Sequence, residues 1–105
     1  MSGIGDNLSA FASRLTGKDS SCAHLPSGPD PVPKTTGCEE CLAQGMRWVH
    51  LRLCLSCGHV GCCNASEGKH ATAHFEATGH PVIRSHEPDE TWCWCYVDQV
   101  QLNGN

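Results

Sequence analysis

Large side chains for a hydrophobic core are scarce in this chain. Its 105 residues include two Phe, three Trp and one Tyr. A chain of this length holds one domain, and domains so poorly supplied lean on metals or disulfides. The first 20 residues show no basic start followed by an apolar run, which argues against a secretory leader. No stretch approaches the roughly 18 apolar residues that cross a bilayer, so no membrane partner is expected. Basic residues are also few: seven Lys and Arg stand against eleven Asp and Glu, for a formal net charge of −4. A protein that tracks phosphates needs a basic face. Nucleic acid is therefore not an expected partner, whereas a partner with a basic tail is compatible. No internal repeat is visible, and no βαβ pattern offers a setting for a thiol redox motif.

What the chain has in excess is metal-binding chemistry. It carries nine Cys and seven His. An odd number of thiols cannot be consumed by disulfides alone. Cys38-x-x-Cys41 and Cys54-x-x-Cys57 are two knuckles, with Cys62, His70, His74 and His80 downstream. Interleaved C-x-x-C pairs and histidines are zinc spacing rather than the framework of a secreted scaffold. Together these features predict a reducing, cytoplasmic setting. Structural zinc takes four thiolate and imidazole ligands in a tetrahedron. His70 and His74 lie one helical turn apart and share a face. Spacing alone does not decide which ligand meets which ion.

The local patterns suggest how the ligands are mounted. Leu8, Phe11, Ala12 and Leu15 predict a short helix over 5–16, within an N-terminal extension spanning 1–20. Four prolines and two glycines make 26–37 a loop. Residues 46–55 alternate as a strand, with Trp48, His50, Arg52 and Cys54 on one face. Gly58 marks a knuckle turn, and 59–62 a short return strand. Residues 66–78 predict the main helix, with Ser66 as N-cap, Gly79 as its stop and Pro81 barring continuation. Strands are expected over 81–86 and 91–102, separated by the acidic turn Glu87-Pro88-Asp89-Glu90.

From Cys22 to Asp98 the chain resembles the UBP-type zinc finger. This is the ubiquitin-binding module of many ubiquitin-specific proteases and of a cytoplasmic histone deacetylase. The shared pieces are Cys22-Ala-His24-Leu25, the two knuckles, Cys62, His70-Ala-x-x-His74, Thr78-Gly79-His80-Pro81 and Trp94-Cys95-Tyr96. The run is also similar to compact, stand-alone bacterial versions of the finger. The resemblance implies an α+β fold over 21–105: a zinc-stapled, twisted antiparallel sheet with one main helix and cross-braced sites. It implies two or three Zn2+ ions, with three expected. One set would be Cys38, Cys41, Cys62 and His70, and a second Cys54, Cys57, His74 and His80. The third would join Cys22, His24 and Cys95. Members with three ions carry W-C-x-x-C at this point, and here Asp98 stands where the last Cys would be. Asp98 is the preferred fourth ligand and Cys93 the alternative.

The resemblance also implies a function. Members of the family bind the free C-terminal Gly-Gly of ubiquitin in an aromatic pocket with an Arg near the carboxylate. Trp94 and Tyr96 match pocket aromatics. Asn64 occupies the usual Arg position, and Arg52 aligns near a wall that is often Trp, from where it could supply the charge. The expected partner is a protein or peptide C-terminus, ubiquitin or similar. The alternative is a structural or assembly module without a tail pocket. Closed four-ligand sites leave no open coordination position, so no enzyme activity is expected. His50, His59 and His86 read as surface or packing residues, and Cys63 as a free small residue.

Overall fold

A computed structural model describes residues 22–102. The helix expected over 5–16 lies outside the described residues. The described elements are helix α1 (Glu39–Gln44), strands β1 (Leu51–Cys54) and β2 (Val60–Cys62), helix α2 (His70–Thr78), and strands β3 (Val82–Ser85), β4 (Cys93–Cys95) and β5 (Val100–Leu102). The strands form one antiparallel sheet in the order β2-β1-β3-β4-β5. This is the expected α+β, cysteine- and histidine-stapled architecture.

Register divides the sheet into two functional faces. Residues directly opposite each other across a ladder share a face. Leu51 pairs with Cys62, Leu53 with Val60, Val82 with Cys95, and Cys93 with Leu102. All eight are buried in one cluster, which Cys38 and Cys41 join from around α1. The opposite face carries a row running from Ile83 through Trp94 to Gln101. On β4 the alternation is direct: Cys93 and Cys95 are buried, while Trp94 between them is half-buried on the other side.

Several elements are shorter than the sequence pattern suggests, and each shortening has a local cause. Of the strand expected over 46–55, only 51–54 pairs in the sheet. The preceding backbone is taken by other partners: Met46 N–H donates to the Cys41 carbonyl (2.9 Å) and Val49 N–H to Ser66 Oγ (2.8 Å). That second bond also removes Ser66 from the expected capping role. The helix begins at His70 instead, after Lys69 in the left-handed region at φ 49°. Gly79 closes it as expected. The expected strand 91–102 breaks into β4 and β5. Asp98 N–H donates to Cys95 Sγ (3.4 Å) and Gln99 N–H to the Cys95 carbonyl (2.8 Å), which folds 95–99 into a turn. Helix α1 was not expected. Cys38 caps it with sulfur, accepting the Cys41 N–H at 3.4 Å.

Residues 26–37 form the expected irregular loop, pinned by Lys34 N–H to the Gly58 carbonyl (2.9 Å) and by an Arg84–Asp30 ion pair (2.7 Å). Gly61 lets α2 lie on β2. A Cβ there would stand 2.7 Å from the Ala71 nitrogen and 2.8 Å from its Cα, both backbone atoms. Gly61→Ala is expected to destabilise the zinc-loaded fold by about 1–3 kcal/mol, the usual cost of overpacking. A wild-type midpoint in denaturant titration at saturating zinc would contradict this.

Candidate metal centres and the adjoining pocket

The fold gathers the cysteines and histidines into three sets of four. These are Cys38, Cys41, Cys62 and His70; Cys54, Cys57, His74 and His80; and Cys22, His24, Cys95 and Asp98. In each, one candidate ligand atom per residue lies within 4.8 Å of all the others. None of the nine cysteines is in a disulfide.

The edge lengths test whether zinc fits. Zinc lies near 2.3 Å from sulfur and 2.0–2.1 Å from imidazole nitrogen, so a tetrahedron has edges of about 3.8 Å between sulfurs, about 3.6 Å between sulfur and nitrogen and about 3.3 Å between nitrogens. In the first set, Cys41 and Cys62 Sγ are 3.9 Å apart, and His70 Nδ1 stands 3.3–3.4 Å from all three sulfurs. In the second, Cys54 Sγ to His80 Nδ1 is 3.6 Å, Cys57 Sγ to His74 Nε2 is 3.4 Å, and the two nitrogens are 3.3 Å apart. In the third, His24 Nδ1 lies 3.4 Å from Cys22 Sγ, 3.5 Å from Cys95 Sγ and 3.2 Å from Asp98 Oδ2. All three sets have the dimensions of a zinc tetrahedron.

Backbone geometry supports the thiolate form of these sulfurs. Cys38 Sγ accepts the N–H of Cys41, Cys62 Sγ that of His70, Cys22 Sγ that of His24 and Cys95 Sγ that of Asp98, at 3.2–3.4 Å. Such outer-shell donors orient metal ligands and tune them. Without a cation, burial favours the protonated form of Cys22, Cys38, Cys41 and Cys54. Burial, with neighbouring cysteines adding to it, pushes Cys41 up to about 12 and Cys22 up to about 11. Burial and then the neighbouring His59 and His80 bring His74 down to about 4. The sites are thus built for a cation that displaces protons.

Asp98, rather than Cys93, joins the third set. Cys93 belongs to no set and is buried in the core, where burial raises its thiol. His50 is exposed and His86 half-buried, and neither joins a set. His59 is buried, in contact with Glu40 and His74.

Beside the metal sets, on the face of the sheet turned from the core, lies an open cavity of about 220 Å³. Its lining brings together all four residues expected at a peptide site: Arg52, Asn64, Trp94 and Tyr96. Tyr96 is held by a stacked Phe75 (4.6 Å between centroids) and its hydroxyl meets Thr72 Oγ1 at 3.2 Å. Thr72 Oγ1 donates to Asn64 Oδ1 at 2.7 Å, which leaves that bond independent of the asparagine amide N–H groups. Arg52 is the single charged residue in the lining. Its Nη1 is anchored by the Leu51 carbonyl (3.0 Å), and Ser85 and Glu90 lie nearby (3.4 and 3.8 Å).

The sequence reading missed five lining residues: Cys63, Ala71, Ile83, Trp92 and Gln101. The Trp92 ring lies under the Arg52 guanidinium at 4.6 Å, a cation–π contact. Its signal was present in the period-two run Trp92-x-Trp94-x-Tyr96. Cys63 carried no such signal. Burial raises its thiol, but the Ser66 hydroxyl and the backbone N–H groups of His50, Ala65 and Ser66 outweigh that, leaving it near 7.

Three four-residue sets, two of Cys and His and one of Cys, His and Asp, bracing a small antiparallel sheet define a zinc finger, and the pocket beside them fits an interaction module. Comparison with known proteins makes the assignment specific. The family described as "Zn-finger in ubiquitin-hydrolases and other protein" matches residues 38–105. The chain belongs to this UBP-type zinc-finger family, and zinc is its cofactor. It is 36% identical over 72 residues to the NAD-dependent deacetylase sir2A of Dictyostelium discoideum, covering 66% of this chain and 13% of that protein. It is 36% identical over 74 residues to ubiquitin carboxyl-terminal hydrolase 44 of Ailuropoda melanoleuca, covering 70% of this chain and 9% of the hydrolase. The chain thus spans a small fraction of these curated relatives. A solution structure of protein RPA1320 from Rhodopseudomonas palustris is similar with a TM-score of 0.74 and 54% identity, over 80% of this chain and 82% of that one. Among the described residues no helix is long and apolar enough to cross a membrane.

Proposed function

We propose that this finger is a non-catalytic module that reads a free peptide C-terminus, with the Gly-Gly tail of ubiquitin as the leading candidate, and that three zinc ions hold it in shape. The three four-residue sets would each take one ion, with Asp98 completing the third. Four protein ligands per ion leave no place for a metal-bound water, which favours a structural role for the zinc. The observation that carries the binding reading is the pocket itself. One cation, Arg52, is set among Trp92, Trp94 and Tyr96. Its volume falls below the roughly 300–1,000 Å³ of sites for drug-sized ligands, which suits a narrow chain end. Trp94 and Tyr96 would flank the extended tail, while Arg52 and the Asn64 amide would receive its carboxylate. Arg52 would thereby restore, from β1, the charge that Asn64 does not provide. The hydrolase relative and the family's description support ubiquitin as the source of the tail.

A hydrogen bond to a charged group contributes about 1.5–3 kcal/mol, or roughly 10- to 100-fold in affinity. A peptide ending in Gly-Gly with a free carboxylate is therefore expected to bind at least about 10-fold more tightly than its amide. Arg52→Gln should erase that difference, and Trp94→Ala should weaken both forms. Calorimetry on variants with wild-type zinc content is the measurement. Equal affinity for the two peptides would sink the carboxylate reading and favour an assembly module that docks elsewhere on its surface.

A further inference from the structure

We propose that His59 and Glu40 form a brace between two metal centres, so that the ions of the Cys38 set and the Cys54 set are gained and lost together. This rests on the ligand assignment proposed above. His59 is a ligand in neither set, yet it is 4% exposed and lies between them. One face of its ring stacks on His74, with centroids 4.0 Å apart and planes 4° from parallel. Its Nε2–H donates to Glu40 Oε2 at 2.8 Å, and Oε1 is 3.0 Å away. Glu40 belongs to α1, inside the first knuckle, with a carboxylate oxygen 3.9 Å from Cys38 Sγ.

A short contiguous path therefore joins the two centres: the α1 backbone that carries Glu40 between Cys38 and Cys41, then the Glu40 carboxylate, His59 and His74. Each contact constrains the next. Stacking fixes the plane of His74, and with it the direction of the Nε2 lone pair that faces Cys57 and His80. The carboxylate fixes the plane of His59. Emptying the Cys54 set frees His74 to rotate, which removes the surface His59 packs on and loosens Glu40 within the first knuckle. Emptying the Cys38 set releases α1 and acts along the same path in reverse, as reciprocity of coupling requires. Outer-shell partners of this kind commonly alter metal affinity by about 10- to 100-fold when removed.

Glu39, Glu40 and His59 also offer three ligand atoms within 4.8 Å of one another, which raises the question of a fourth metal. The arrangement favours a brace: among the described residues no fourth ligand completes the group, and the carboxylate already takes the His59 N–H.

The test is a chelator titration of the zinc-loaded protein, with zinc counted by native mass spectrometry. Wild type should lose one ion first, from the more exposed third set, and then pass from two ions to none with little one-ion species. Glu40→Gln and His59→Phe should each raise the one-ion population about 10-fold. Glu40→Gln is isosteric and half-exposed, so it remains informative if His59→Phe does not fold. An unchanged one-ion population in the variants overturns the coupling alone. Equal weakening of all three ions overturns it as well, because a merely structural role predicts that. A fourth ion in wild type, absent from Glu40→Gln, would replace the brace with a metal site. A wild-type count below two would overturn the ligand assignment and the coupling together.

Discussion

Stripping zinc from this protein with a strong chelator is expected to unfold it in one cooperative transition. The interior explains the size of the effect. Its largest fully buried side chains are Val60 and Val82, and the others are Cys38, Cys41, Cys54, Cys62, Cys93 and Cys95. Five of these eight belong to the metal sets, so much of the deepest interior is candidate ligand rather than large apolar side chain. Structural zinc contributes about 10–16 kcal/mol of apparent binding energy per site in small peptides, whereas whole domains are stable by only about 5–15 kcal/mol. Removing the ions of the Cys38 and Cys54 sets therefore threatens the entire margin.

The thiols do not rescue the metal-free fold. With Cys41 pushed up to about 12 and Cys22 to about 11, these two remain protonated at neutral pH and offer no charge to hold the empty sets together. Alkaline pH makes matters worse. A folded-state value raised above that of the free thiol favours folding only below the unfolded pKa, and the benefit is lost as pH climbs toward 11 or 12. The measurement is amide dispersion in NMR before and after complete zinc removal. Retained native dispersion at neutral pH would refute the prediction.

The second large effect concerns the third ion alone. Asp98→Ala should reduce the zinc count by one while leaving the other two ions in place. This set differs from its neighbours in two ways. Its His24 and Asp98 side chains are 36% and 40% exposed, and its fourth donor is a carboxylate rather than sulfur or imidazole. It also ties residue 22 to residues 95–98, across the longest sequence separation of the three sets. The same ion should leave first under chelation. Asp98→Cys should hold it more tightly, because thiolate is the softer ligand that zinc favours in structural sites. Cys93→Ser, at a buried position outside every set, should leave the count unchanged. Native mass spectrometry reads all three variants, and an Asp98→Ala protein that keeps its full count would remove Asp98 from the coordination sphere.

Much of the metal scaffold was legible because zinc ligation constrains residue type and spacing together. The two knuckles at 38–41 and 54–57, taken together with Cys62, His70, His74 and His80 downstream, point to metal ligation where one C-x-x-C alone would not. What escaped was set by contacts that spacing does not encode. Helix α1 is six residues long and capped by a sulfur, where Ser or Asp would have been the signal. Ser66 looked like a helix cap, but its hydroxyl serves the backbone of Val49, far away in the chain. The strand over 91–102 looked continuous because Tyr96 and Val97 are good strand residues. The turn at Cys95 overrides that preference in order to bring Asp98 back to His24. Trp92 was visible in the alternation of β4, yet its role as the surface beneath Arg52 depends on β1 and β4 lying on either side of β3. His59 read as a packing residue, and it is one, but its neighbours include a ligand of one metal set and the knuckle helix of another.

The alternation along β4 has a consequence for how such a protein can change. The buried cysteines and the pocket residue Trp94 occupy successive positions but opposite sides of one strand. Replacing Trp94 or Gln101 alters the recognition surface without touching the buried cysteines beneath it. Mutational drift in binding preference is therefore decoupled from drift in stability. A lineage, or an engineer working by saturation mutagenesis, can rewrite the pocket side of β4 and β5 while Cys93 and Cys95 on the other side stay constant.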